Sequence, residues 1–205
     1  AKVSGAQFVA ACGGNATITQ GDFKTHIFTA DGPLNVTSAG NPAGSTIMEY
    51  LVVAGAGAGG ITSYGGGGGA GGFRMFTTAP GSNSPLKAPA GLAASVSNFT
   101  ITVGGGGAAP NPTSSGGTLP GDNSIFSSIT ATGGGVQNYP STPGGSGRCA
   151  ATLNGGSGAG GAADGPAPEW GGSGNTPPVS PPQGNDGGTS QSSPGGSNFN
   201  FGGGG

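Results

Sequence analysis

The chain has 205 residues, of which 51 are glycine and 17 are proline, and its five lysine and arginine residues against seven acids give a formal charge of −2. So few cations, dispersed along the chain, cannot form the basic surface that follows a phosphate backbone, which argues against a nucleic-acid partner. The longest apolar run, Tyr50–Ala54, is far too short to span a bilayer.

The predicted elements begin with short strands separated by turns. The first apolar segment, Gln7–Cys12, ends at the glycines of a predicted Gly13-Gly14-Asn15 turn. Further on, Phe23–Phe28 alternates in polarity, which is typical of a half-exposed strand. The Asp31-Gly32 pair then predicts a turn that joins this strand to Pro33–Ser38 as a β-hairpin.

The next stretch combines a strand, a glycine run and a second strand. Tyr50–Val53 shows no polar alternation and predicts a strand buried on both faces. Gly55–Gly60 has the G-x-G-x-x-G spacing, but a dinucleotide site also needs a helix there and an acid about 20 residues further on. The glycine run cannot sustain a helix, and the first acid after Glu49 is Asp122. We therefore predict no nucleotide cofactor.

Apolar strands lead into glycine runs three times, at residues 54/55, 103/104 and 132/133. Without Cβ atoms, such runs pack closely, and they can form extended helices of the polyproline II kind with three residues per turn. That helix has no internal hydrogen bonds, so its buried amides must pair with neighbouring segments. The pattern predicts an all-β fold, an antiparallel, jelly-roll-like β-sandwich whose glycine segments gather at one end.

The sequence changes character after residue 138. Large apolar residues become rare there, and glycine, proline and serine dominate, as in NTPPVSPPQGNDGG. So few large side chains cannot build an independent core. We therefore predict a β-sandwich with glycine-rich loops over residues 1–138 and a Gly/Pro/Ser-rich extension over residues 139–205, packed on the sandwich or on neighbouring subunits.

Few residues offer chemistry. Cys12 and Cys149 lie far apart without the spacing of a metal site, so a disulfide between them and two buried thiols both remain open. The single histidine, His26, has no recognisable catalytic partner and is interpreted as structural. Asp31 and Asp122 occupy turn sequences, where local hydrogen bonds are expected. We predict no catalytic residues, no metal and no cofactor.

Taken in order, five segments resemble the glycine-rich domain found in tail fibres and other structural proteins of tailed bacteriophages: GDFKTHIFTADGPLNVT, MEYLVVAGAGAGG, YGGGGGAGGFR, FTITVGGGG and DNSIFSSITATGGG. The resemblance covers roughly residues 13–135, whereas residues 1–12 and 139–205 depart from the pattern. It implies a β-sandwich decorated by glycine-rich segments, a place in a virion appendage and no catalytic set.

This resemblance makes a non-enzymatic virion structural protein the leading hypothesis, a tail-fibre or receptor-contacting subunit located extracellularly in the virion. Its expected partners are further copies of the chain in a homo-oligomer such as a trimer, other virion proteins and a host-surface receptor, with no membrane insertion. One alternative is a capsid or tail decoration protein. Another, of a different class, is an extracellular glycine-rich filament or ice-binding protein.

Four residues are candidates for contact with a receptor or a neighbouring subunit: Tyr64, Arg74, Tyr139 and Trp170. Aromatic and arginine side chains are enriched in interfaces, and these four occur in polar, glycine-rich surroundings. The competing interpretation is that each packs against a glycine surface of its own chain.

Overall fold

The computed structural model describes residues 5–60, 65–81, 84–108, 119–137, 153–162, 170–192, 199–200 and 202–205. The elements of these residues are β-strands, paired antiparallel wherever a strand register is defined, which confirms the all-β prediction. The chain forms two compact units. The sheet unit comprises Ala1–Val52, Arg74–Val103 and Ile125–Thr130; the glycine unit comprises Val53–Phe73, Gly104–Ser124 and Ala131–Gly205.

The strands are short, and most lie in the sheet unit. They are β1 (Val9–Gly13), β2 (Ala16–Gln20), β3 (Phe23–Ile27), β4 (Gly32–Ala39), β5 (Ile47–Met48), β6 (Tyr50–Val53), β7 (Phe73–Phe76), β8 (Leu92–Ala93), β9 (Ser97–Thr102), β10 (Ser124–Phe126), β11 (Ile129–Ala131), β12 (Gln191–Ser192) and β13 (Phe199–Asn200). One sheet has the order β1-β4-β9-β10-β11, and the other strands pair as β2-β3, β5-β8, β6-β7 and β12-β13.

The five-stranded sheet is held by apolar side chains on one of its faces. Along β4, Leu34 and Val36 are buried while the residues between and after them are exposed, as expected for a strand with period two. Leu34 is opposite Phe99 of β9, and the ring of Phe99 meets Phe126 of β10 edge-on at 5.9 Å. Val36 is completely buried, so this face forms the core of the sheet unit.

The predicted hairpin between β3 and β4 is wrong. β3 pairs with β2 through the turn at Gly21, whose φ of 57° favours glycine, and β4 pairs with β1 and β9. The Asp31 side chain has a long-range role instead, because its Oδ1 accepts a hydrogen bond from the Val103 N–H at 2.8 Å. The local turn at Gly21 therefore determines the partner of β3, whereas β4 pairs with strands that are distant in the sequence.

The prediction that Tyr50–Val53 is buried on both faces is also wrong. Val52 is 9 % exposed, but Leu51 and Val53 are 63 % and 51 % exposed. The reason is that β6, which pairs with β7, is covered only on the face that carries Val52. On the covered side, the rings of Tyr50 and Phe76 lie 6.5 Å apart.

The two compact units are not consecutive in the sequence. Residues 53–73 and 104–124 group with residues 131–205, although the predicted division places a single boundary after residue 138. That boundary lies outside the described residues. The glycine runs that follow the strands are therefore grouped with the C-terminal part of the chain.

Candidate functional site: the glycine bundle

The glycine unit is built from a ladder of backbone hydrogen bonds with a period of three residues. The N–H groups of Ala54, Gly57 and Gly60 donate to the carbonyls of Gly72, Gly69 and Gly66 at 2.9–3.0 Å. A helix with three residues per turn presents the same side to a neighbour at every third residue, as polyproline II helices do. The two glycine-rich segments therefore run antiparallel as extended helices, and no helix begins at the G-x-G-x-x-G sequence.

Each segment also bonds to further neighbours through its other sides. Gly55 and Ala58 donate to Asp122 and Leu119, again three residues apart. On the partner segment, Gly69 and Gly72 donate to Gly135 and Thr132. Because polyproline II helices cannot satisfy their own amides, these lateral bonds are what makes an ordered glycine bundle feasible.

Packing of backbone against backbone explains why glycine is required. A Cβ atom added at Gly134 would collide with the carbonyl oxygens of Gly69 and Ala70 and with the amide nitrogen of Gly57. By contrast, a Cβ at Gly203 would meet nothing within 4 Å. At Gly134 glycine is therefore required by close backbone packing, whereas at Gly203 it is not.

The C-terminal part of the chain belongs to this bundle. Ser157 and Gly160 donate to the carbonyls of Ala70 and Gly67, once more at a separation of three. Gly205, in the last described segment, donates to Gly158. The described residues of the extension thus bond to glycine runs that precede them in the sequence, and Ala159, completely buried, shows how small the side chains inside the bundle are.

The proline-rich sequence NTPPVSPPQG forms an ordered loop around two side chains. Asn175 Oδ1 accepts the N–H groups of Val179 and Gln183, and Asn175 Nδ2 donates to the Val179 carbonyl. Gln183 is 1 % exposed; its Oε1 accepts the Thr132 N–H at 2.8 Å, and its Nε2 donates to Thr132 Oγ1 and to the Pro177 carbonyl. The side-chain oxygen of Gln183 thus accepts the hydrogen bond of the Thr132 amide, a role that backbone carbonyls play elsewhere in the bundle.

Hydrogen-bond directions show which described segments end at the same end of the bundle. Residues 54–60 are antiparallel to 66–72 and to 119–122, and residues 157–160 are antiparallel to 67–70. The described segments that end at Gly60, Ala108 and Ala162 therefore all end on the same side, which we call the turn end. Among the described residues there, two large apolar side chains are exposed: Leu119 at 55 % and Trp170 at 70 %.

Two of the four predicted contact residues are described by the structure. Trp170 is at the turn end, and Arg74, half-buried in β7, has its Nη1 3.5 Å from the Thr130 carbonyl within the sheet unit. They belong to different compact units. Tyr64 and Tyr139 lie outside the described residues. Leu119 was not predicted, because the contact prediction rested on aromatic and arginine side chains.

The remaining residues singled out by sequence lie in the sheet unit. Cys12 is exposed in β1, and Cys149 lies outside the described residues, so their pairing stays a prediction. His26 has its Nδ1 2.8 Å from the Gly13 carbonyl, and Lys24 Nζ donates to the Ala11 carbonyl at 3.3 Å. Both side chains of β3 thus bind the outer edge of β1, a structural role for His26.

Glu49 is a carboxylate whose pKa is clearly shifted. Partial burial tends to raise its pKa, but hydrogen bonds from the hydroxyls of Thr78 and Thr77 and from the Thr78 amide, together with the charge of Lys87, outweigh that effect and lower it. Glu49 Oε1 accepts the Thr78 N–H at 2.8 Å as well as the Thr78 hydroxyl. This arrangement ties the residue before β6 to the end of β7.

The family model of the glycine-rich domain matches residues 29–205. The chain belongs to the glycine-rich domain family. The match reaches the C-terminal end, so the interpretation that residues 139–205 depart from the family pattern is wrong; the described residues there join the same ladder as the earlier runs. No curated protein and no solved structure matches the chain.

In the described ranges, no helix has the length and the apolar character to cross a bilayer. Nor do these ranges contain three or more His, Cys, Asp or Glu side chains grouped so that they could bind a metal ion.

Proposed function

We propose that this glycine-rich domain protein is a non-enzymatic structural component of a bacteriophage virion, a tail-fibre or receptor-contacting subunit. The observation that carries the proposal is the period-three ladder, which makes a scaffold from backbone alone. The placement of the protein in a virion rests on the sequence resemblance to the glycine-rich domain of phage structural proteins.

The geometry of the bundle supports a presenting role. Lateral amide bonds in several directions hold each glycine segment, and the described segments that end at Gly60, Ala108 and Ala162 all end at the turn end. Exposed Trp170 and Leu119 at that end are of the kind that serves as an anchor in recognition surfaces. We infer that the turn end faces the partner, which is a host-surface receptor or a neighbouring subunit of a homo-oligomer such as a trimer.

The alternative functions use the same glycine bundle as a scaffold but place the protein elsewhere. A capsid or tail decoration protein would use the same bundle on the body of the particle. A glycine-rich filament or ice-binding protein would be extracellular without a virion; ice binding is favoured by regular rows of threonine, and Thr and Ser are not periodic in this sequence.

Location on the particle tests the virion assignment. Antibodies against the purified chain are applied to phage particles from the lysate that contains this gene product, and gold labels are mapped by electron microscopy. Label at fibre tips is expected. Label on heads or tail tubes would favour the decoration protein, and particles that contain no peptide of the chain by mass spectrometry would refute the virion assignment.

Amide hydrogen exchange tests the scaffold itself. Gly55, Gly57 and Ala58 donate to backbone carbonyls, whereas Ala56 and Gly59 have no backbone acceptor among the described residues. The amides of Gly55, Gly57 and Ala58 are expected to exchange only on global opening, and those of Ala56 and Gly59 much faster. Fast exchange should therefore recur at every third residue. Uniformly fast exchange over this segment would show that the glycine runs are loose spacers.

A further inference from the structure

A groove lies on the surface of the glycine unit, and all its described lining residues belong to that unit. It has a volume of about 530 Å³, within the range of about 300–1,000 Å³ usual for small-molecule sites. Its walls are Pro120, Gly121, Asn123, Thr132, Gly133, Asn154, Gly155 and Thr176. None of these described lining residues carries a charge, so the groove offers neither a counter-ion for an anion nor carboxylates for a cation.

Two asparagine side chains are fixed by the backbone of the bundle. Asn123 Oδ1 accepts the Gly133 N–H at 2.9 Å, and Asn154 Oδ1 accepts the Ser173 N–H at 2.7 Å. A backbone N–H can only donate, so the atom facing it is the amide oxygen, and the Nδ2 group of each side chain remains as a donor. Within the described part of the chain, neither Nδ2 has a protein acceptor.

Two threonine hydroxyls add both kinds of hydrogen-bonding capacity. Thr132 Oγ1 accepts from Gln183 Nε2 at 3.2 Å, which leaves its own hydrogen to donate. Thr176 Oγ1 donates to the Gly174 carbonyl at 3.2 Å, which leaves its lone pairs to accept. The pyrrolidine ring of Pro120 and the threonine methyl groups supply apolar surface beside these polar atoms.

From this arrangement we propose that the groove binds an uncharged sugar. A sugar hydroxyl donates and accepts at the same atom, and a sugar ring carries C–H groups between its hydroxyls. A neutral wall that combines fixed amide donors, hydroxyl donors and acceptors, and small apolar surfaces matches both features. An anion would use only the donors, and a metal cation only the acceptors. This inference is independent of the virion assignment, because it rests on the groove alone.

Nuclear magnetic resonance titration of the full chain tests the proposal. Glucose, galactose and N-acetylglucosamine are added separately, up to about fifty times a Kd of about 1 mM, the weak end of specific binding. At least one sugar is expected to shift the amides of Gly133 and Ser173, which bond to the two asparagines, while Gly57 and Gly69 in the ladder stay unchanged. Sulfate is the anion control. No shift with any sugar, or an equal shift with sulfate, would overturn the proposal.

Isosteric variants locate the site. Asn154→Asp and Asn123→Asp keep the oxygen that accepts the backbone N–H but replace the Nδ2 donor by an acceptor. Each is expected to weaken sugar binding at least about tenfold, the effect of one lost hydrogen bond to a fixed donor. Asn98→Asp, on the exposed side of β9, introduces the same charge in the sheet unit and should bind as the natural chain does. Unchanged affinity in both groove variants would place the sugar elsewhere.

Discussion

The two compact units reach order by opposite means. The sheet unit buries branched and aromatic side chains such as Val36, Ile101 and Phe126. The glycine unit removes side chains, so that backbones lie close enough to bond to each other, and the most buried large side chains there are Val136 and Gln183. Hydrophobic burial therefore stabilises the first, and lateral amide bonding the second. An added methyl group should therefore destabilise the glycine unit, and the removal of methyl groups should destabilise the sheet unit.

The largest effect is expected from adding one methyl group inside the glycine unit. Gly134→Ala brings a Cβ into three backbone atoms of two neighbouring segments, none of which can rotate away. We expect a loss of more than about 3 kcal/mol in unfolding free energy, or failure of the unit to order, because overpacking against backbone cannot relax. The measurement is thermal and denaturant unfolding, followed through amide signals of the glycine unit.

Its matched control is Gly105→Ala in the same unit. The nearest atom to an added Cβ there is the flexible Asp122 carboxylate, at 3.6 Å. This variant should unfold within about 0.5 kcal/mol of the natural chain, as surface substitutions usually do. If the two variants were equally stable, close backbone packing would not be what holds the bundle.

Removing methyl groups should damage the sheet unit instead. Val36→Ala deletes two methyl groups from a completely buried side chain and leaves a cavity. We expect a loss of about 2 kcal/mol, measured by denaturant unfolding through the amides of β4 and β9. Val96→Ala, at a position that is 67 % exposed, should cost less than about 0.5 kcal/mol. Equal costs for the two would contradict a core on this face of the sheet.

The glycine unit also contains a large buried side chain, Gln183, whose hydrogen bonds should stabilise it. Gln183→Ala leaves the Thr132 N–H and the Pro177 carbonyl without the partners that Gln183 provides. The expected cost is about 2 kcal/mol, the penalty of burying unsatisfied polar groups, read from the same unfolding curves. Gln20→Ala, in exposed β2, serves as the control and should be neutral. A neutral Gln183→Ala would mean that water replaces the side chain.

The smallest effect concerns pH and the sheet unit. The pKa of Glu49 is lower in the folded chain than in the unfolded one. Its contribution to the free energy of unfolding is therefore complete above the ordinary glutamate pKa of about 4.3 and is lost as the pH falls through the folded value. Because Glu49 is largely exposed, we expect less than about 1 kcal/mol.

Unfolding of the sheet unit between pH 3 and 6, a window of about three units around that pKa, measures this contribution. Glu49→Gln should flatten the acid branch of the stability curve, and Thr78→Val, which removes a hydroxyl donor to the carboxylate, should flatten it partly. An acid branch that is unchanged in Glu49→Gln would assign the pH dependence to other groups.

Local features were predictable from the sequence where a residue type decides the backbone. The turn at Gly13 and Gly14 has φ values of 126° and 92°, which glycine adopts at little cost. The need for lateral partners around the glycine runs also followed from residue type, since extended helices cannot satisfy their own amides.

Long-range pairing was decided only in three dimensions. Nothing near β4 in the sequence shows that it pairs with β1 and β9, because several strands of similar composition compete. Glycine runs are still less specific, because any one of them could bond to any other. In the tertiary structure, residues 54–60 bond to 66–72, and residues 157–160 bond to another side of that second segment. The groove between Asn123 and Asn154 arises in the same way.

The sequence by itself determined that this chain forms β-strands, that its glycine runs need partners and that it belongs with glycine-rich domains. Only the tertiary structure decided which runs meet, which strand faces are covered and which polar side chains line a common groove. The physical reason is that a residue's φ, ψ and side-chain volume are local properties, whereas a backbone without side chains carries no information about which neighbour it will bond.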